Sequence, residues 1–149
     1  MNHDIHLRAA ALAVIMMEAE GLCLDFSIES LDAIDSRIEM LRQEGLSSDS
    51  VPTVMSAFGF YVGEVIRRTL GRGKWLENPG DYRLDLGGIV ANPIGKCMKR
   101  LDNGACDSVR VFAEVSMTLA KTSEHERENN LKGIVESEMP GVNVEVRSL

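Results

Sequence analysis

The amino-acid sequence predicts an α+β fold: about six helices packed on a small antiparallel sheet of about three strands. Three observations carry that expectation. Apolar residues recur at helical spacing in several stretches separated by Gly, Pro or Ser/Asp clusters. Residues 71–92 change character, with glycines at 71, 73, 80, 87 and 88 between short strand-like runs. The chain has 149 residues, about one domain by the length prior, and can hide roughly 68–70% of its unfolded surface. A single α+β domain over residues 1–149 is therefore expected, with a C-terminal helix and strand in 123–149.

The first helix is expected from Asp4 to Glu20, stopped by Gly21. Ile5, Ala9, Leu12, Met16 and Ala19 mark its inward stripe. Arg8 followed by AAALAVIMM resembles the start of a signal peptide. Asp4 before it, Glu18 and Glu20 after it, and the lack of a small-x-small cleavage site favour a retained helix. LCLDFS (22–27) reads as a connector. A second helix begins near Ser30 with Leu31, Ile34, Ile38 and Leu41 inward and Asp32, Asp35, Arg37 and Glu39 outward, and Gly45 ends it. The third opens with Asp49 or Ser50 as cap and Pro52 in its first turn, where the missing N–H costs nothing. Its wide apolar face (Val54, Phe58, Tyr61, Val62, Val65, Ile66) makes it the central helix, ending at Leu70–Gly71.

KWLE (74–77) and YRLDL (82–86) then read as a hairpin, with GIVA (88–91) extending the second strand past a glycine bulge. Asn92-Pro93 starts a short helix bearing Ile94, Cys97, Met98 and Leu101, closed by Asn103–Gly104. Asp107 is the expected cap of a fifth helix, with Val109, Phe112, Val115 and Leu119 inward. Ser123–Glu126 forms a capping box for a sixth helix carrying Leu131, Ile134 and Val135. Pro140–Gly141 turns into a final strand, VNVEV (142–146).

Composition narrows the function classes. Apolar residues at 44% and charged residues at 26% are ordinary globular usage, against disorder. The longest apolar run, Ala9–Met17, is too short to span a bilayer. A net charge of −7 argues against unspecific nucleic-acid binding. The expected partner is therefore a protein, with no nucleic acid and no membrane. Charge is uneven: residues 1–50 carry net −7, 51–110 net +3 and 111–149 net −3. Ordinary solvated faces explain this, or an acidic first half presented to a basic partner. Three cysteines (23, 97 and 106) with no C-x-x-C spacing read as reduced thiols in a cytoplasmic protein.

Phe58 to Trp75, FGFYVGEVIRRTLGRGKW, is the densest local pattern. Gly59 and Gly63 lie on one helix face, each costing roughly 1 kcal/mol relative to alanine, so a packing reason is expected there, inside the domain or at a subunit contact. Glu64 precedes Arg67 and Arg68 by three and four residues, which makes either a surface ion-pair ladder or a buried carboxylate held by a cation or an N–H. GRGK (71–74) lacks the G-x-x-x-x-G-K-[ST] pattern and follows a helix, so a helix cap entering a strand explains it better than a phosphate loop. His3 and His6 share a helix face without a third ligand and read as a fraying terminus rather than a metal site. G-x-S-x-G, H-E-x-x-H and G-x-G-x-x-G do not occur. No catalytic residue, metal or cofactor is expected. Trp75, Tyr61, Tyr82, Phe58 and Phe60 concentrate most of the aromatic content around the third helix and the hairpin. They read as core, or as the rim of a partner surface.

YVGEVIRRTLGRGKW (61–75), with LDFSIESLDAID (24–35) upstream and NPIGKCMKRLDNGACDSV (92–109) downstream, resembles a small bacterial protein family, a domain of unknown function with a YxGEVxxRxxGxxxW-like motif. The turn here is GRG rather than a plain glycine pair. The resemblance covers about residues 22–110 and implies a bacterial cytoplasmic α+β domain, with no catalytic residue to carry over.

A non-catalytic binding or protein-interaction module is the reading these features favour. Its binding site is expected around Tyr61, Glu64, Arg68, Trp75 and Tyr82, because tyrosine, tryptophan and arginine concentrate binding energy. The alternatives are an immunity- or antitoxin-type protein that neutralises a basic partner, and an enzyme with an unrecognised site. Eight methionines and the VNVEV edge also suggest a homodimer, unless that strand pairs with the hairpin of its own chain.

Overall fold

The computed structural model describes residues 3–122 and the strand Val144–Val146, with side chains over residues 5–122. The expected sixth helix and the Pro140–Gly141 turn lie outside the described residues. Among the described residues there are five α-helices: α1 (His3–Glu18), α2 (Leu31–Gln43), α3 (Pro52–Leu70), α4 (Pro93–Asn103) and α5 (Val109–Lys121). A single 3-10 turn, Ala105–Asp107, joins the last two. The strands β1 (Lys74–Asn78), β2 (Asp81–Asp85), β3 (Ile89–Ala91) and β4 (Val144–Val146) form one antiparallel sheet in that order.

α3 is the spine of the molecule. Every residue from Ala57 to Ile66 is buried, because α1, α4 and α5 pack around this helix and β1 brings Trp75 against it. Pro52 takes the first helical turn as expected, but Val51 is the N-cap and makes no side-chain cap bond, so neither Asp49 nor Ser50 fills that role. Gly71 in the left-handed region (φ 77°) donates its N–H to the Arg67 carbonyl and ends the helix. The two helix-interior glycines are close-approach sites. A Cβ on Gly59 would stand about 2.5 Å from the Ile94 Cα, and one on Gly63 would enter the Trp75 ring.

Two expectations along the chain are corrected. The inward face of α1 is not Ile5, Leu12 and Ala19: these are exposed, and His6, Ala10, Ala13 and Met17 are buried instead. The helix is apolar all round, so the pattern alone could not choose its inner side. Residues 88–91 do not extend β2 past a bulge. Gly87 (φ 81°) and Gly88 (φ 97°) close a two-residue turn, with the Leu86 N–H donating to the Ile89 carbonyl at 3.0 Å. Positive φ at both central residues is the hairpin geometry that a Gly-Gly pair favours. β3 therefore doubles back on β2 (Leu84↔Ala91, Asp85↔Val90). β4 pairs with β3 of its own chain (Ile89↔Val146), so that side of the terminal strand is not a free edge.

α4 and α5 are tied to α2 by charge. Asn92 caps α4 by accepting from the Gly95 N–H. Ser108, not Asp107, caps α5. Asp107 is instead buried in an ion pair with Lys96 (2.7 Å) and accepts from Asn103 (3.0 Å). Burial alone would raise its pKa, but these donors hold it below the usual carboxylate range. Asp35, expected to point outward from α2, instead accepts from Arg100 Nε (3.2 Å), Ser108 Oγ (2.9 Å) and the Val109 N–H (2.9 Å). A carboxylate at that position complements the positive end of α5.

Candidate functional site

The sequence places Glu64 next to Gly63, and the bare Gly63 surface is what lets the Trp75 ring lie against α3. That contact delivers the Trp75 indole N–H to Glu64 Oε1 at 3.1 Å. One turn further on, Arg67 donates from Nε to Oε1 (3.1 Å) and from Nη2 to Oε2 (2.9 Å), and Arg68 Nε reaches Oε2 at 3.5 Å. Glu64 is 1% exposed, so the buried carboxylate, not the surface ladder, is what forms. Burial alone would raise its pKa. The Arg67 and Trp75 hydrogen bonds and the charges of both arginines outweigh that and hold it below the ordinary glutamate value.

The two arginines are clamped at one end and open at the other, 37% and 43% exposed. The Arg68 guanidinium also lies 3.7 Å over the Phe26 ring, which holds it by cation–π attraction. Phe26 has a left-handed backbone (φ 63°), and its N–H donates to the Tyr61 hydroxyl at 2.9 Å. Tyr61 meets Ser30 Oγ at 2.6 Å, and that serine already gives its proton to the Ser27 carbonyl. Tyr61 is thus the donor to Ser30 and is fully buried, with burial raising its pKa. It shapes the connector that carries Phe26 and offers no surface to a partner.

Trp75 and Tyr82 belong to an aromatic group on the other side of α3. Phe60 lies 5.0 Å from Trp75 and 5.2 Å from Tyr82 between ring centroids. His6, expected at a fraying terminus, is buried and stacks on Trp75 at 5.3 Å. Its position on the Ala10–Ala13–Met17 stripe was the one sequence signal for this placement. Phe58 lies apart, lining a groove of about 320 Å³ with Met16, Met17 and Leu41.

Of the five expected site residues, Glu64, Arg68 and Trp75 come together directly. Tyr82 joins through Phe60, and Tyr61 lies behind them in the interior. The expected site left out Arg67, which the sequence spacing had paired with Glu64 and which is the better-bonded of the two arginines, and it missed Lys74. Both line a pocket of about 120 Å³ with His6, Leu7, Glu64 and Trp75. β1 borders this pocket as the outer strand of the sheet, and a shallow groove runs along Lys74–Asn78. Among the described residues, no group of three or more His, Cys, Asp or Glu side chains is placed to hold a metal ion, and no helix is long and apolar enough to cross a membrane. Cys23, Cys97 and Cys106 are free thiols; burial pushes that of Cys97 up and out of reactive range. Comparison of the chain with protein-family models, with curated proteins and with solved structures finds no match.

Proposed function

We propose that the protein is a non-catalytic interaction module whose contact surface is the cationic end of α3 and the adjoining edge of β1. The observation that carries this reading is Glu64, which spends both carboxylate oxygens on orienting Arg67, Arg68 and Trp75. A general base must be free to take a proton, with a pKa near the working pH. Glu64 is saturated with donors and shifted the other way. What it builds instead is a rigid pair of guanidiniums with outward N–H groups, beside Lys74 and the strand that is outermost among the described residues. Such a surface suits a protein segment that brings a carboxylate to the arginines while its backbone runs along β1.

The acidic-surface alternative is less well supported. The first-half carboxylates Glu20, Asp32, Asp35 and Glu39 are engaged by Arg37, Arg110 and Arg100 of the same chain. Four of the ten carboxylates of residues 1–50 are thus already held within the chain. Affinity capture from the native host with Arg67→Ala and Arg68→Ala, set against the exposed-surface variants Glu29→Gln and Glu44→Gln, tests the assignment. Loss of a specific partner in the arginine variants alone, with the melting temperature retained, is the expected result. Loss in the glutamine variants alone would transfer the function to the acidic half.

A further inference from the structure

The nine apolar residues from Ala9 to Met17 leave α1 with no polar side in its middle, and a helix that is hydrophobic all round calls for cover all round. α3 covers one side, burying His6, Ala10, Ala13 and Met17. On the opposite side Ile5, Arg8, Leu12 and Ile15 face outward, Leu12 at 40% and Ile15 at 63% exposure. Their steps of three, four and three residues, continued by the exposed Ala19, are those of a coiled-coil seam. Leu7 and Ala11 flank the seam, also exposed. α1 thus carries two apolar seams, and among the described residues only one of them has a partner.

We propose that the outer seam of α1 is a self-association surface on which a second copy of this chain lays its own α1 antiparallel. Charge selects both the occupant and the direction. Arg8 and Glu18 stand near opposite ends of the helix, both exposed, and neither forms an ion pair among the described residues. With a two-fold axis between Ala13 and Val14, Leu12 faces Ile15 of the second copy and Ile15 faces its Leu12. The same register sets Arg8 opposite Ala19 of the second copy, one residue from its Glu18, and this happens twice by symmetry. A parallel pair would instead stack Arg8 on Arg8 and Glu18 on Glu18. The contact is isologous, as closed dimers require. It is also short, because 16 residues span only about 24 Å. The association is therefore concentration-dependent.

Sedimentation equilibrium of the full chain across the micromolar range tests this. The weight-average mass rises with concentration from 16.4 kDa towards twice that value. Ile15→Glu, a change at a solvent-facing position, leaves the far-UV circular dichroism unchanged and raises the dissociation constant about tenfold or more. Arg8→Glu also weakens association, and adding Glu18→Arg in the same chain restores it. A single-chain mass at every concentration overturns the proposal, as does a dimer indifferent to Ile15→Glu. A double charge swap that fails to rescue overturns the antiparallel arrangement.

Discussion

At the scale of single residues, the molecule's least obvious expenditure is Glu64, a carboxylate kept inside at the end of the central helix. Its partners are unequal: Trp75 is buried and depends on Glu64 for its N–H, whereas Arg67 and Arg68 can turn to water. Glu64→Gln keeps an acceptor for the indole but loses the charge-assisted pair with Arg67, so it lowers stability by about 1–3 kcal/mol at neutral pH. The carboxylate is favoured in the folded state, its pKa being held below the ordinary value. Its contribution is therefore complete well above the unfolded pKa of about 4.3. It is lost as pH falls from there through the folded value. The melting-temperature gap between wild type and Glu64→Gln should accordingly be constant near neutrality and narrow below about pH 4.3. A gap that persists unchanged into strong acid would mean that Glu64 acts by shape and not by charge. This residue was half legible from sequence: the spacing to Arg67 and Arg68 announced an ion pair, but only Trp75, eleven positions on, makes it a buried one.

At the scale of elements, α3 and α4 meet through a missing side chain. Gly59 lets the Ile94 backbone approach so closely that a methyl group has no room there. In an exposed helix, Gly→Ala gains about 1 kcal/mol. Gly59→Ala should reverse that sign, costing about 1–3 kcal/mol through forced displacement of α4, measurable as a lower urea midpoint. A stabilised variant would show that α4 can retreat freely. The glycine pair predicted this contact because two unfavourable residues one turn apart in a helix need a packing reason. α2 was legible for a plainer reason, since its apolar residues Leu31, Ile34, Ile38 and Leu41 alternate with charge and all four are buried. α1 was misread because nothing polar marks its outside between Arg8 and Glu18. The Gly87–Gly88 turn was misread as a bulge, although a Gly-Gly pair between two short runs is itself a hairpin signal.

At the scale of the whole molecule, the charge segregation seen along the chain turns into pairing in the fold. Asp32, Asp35 and Glu39 on α2 meet Arg110 and Arg100, between 61 and 78 positions away, so the acidic first half and the basic middle close on one another. No linear pattern could disclose this, because it depends on how α2, α4 and α5 cross. These pairs sit at the rim of one continuous apolar core that takes in α1 through α5 and the inner faces of β1 to β3. Trp75, the single tryptophan of the chain, reports on one corner of that core, where α1, α3 and β1 meet. Helix content reports on the rest. With α3 buried along ten successive residues, the corner cannot open without uncovering the helix to which α4 and α5 are attached. Urea unfolding followed by tryptophan fluorescence and by far-UV circular dichroism should therefore give coincident midpoints, as a cooperative two-state unit requires. A fluorescence transition that clearly precedes the loss of helix would show that α1 and β1 detach first. The Glu64 cluster would then be a locally adjustable corner rather than part of the cooperative core.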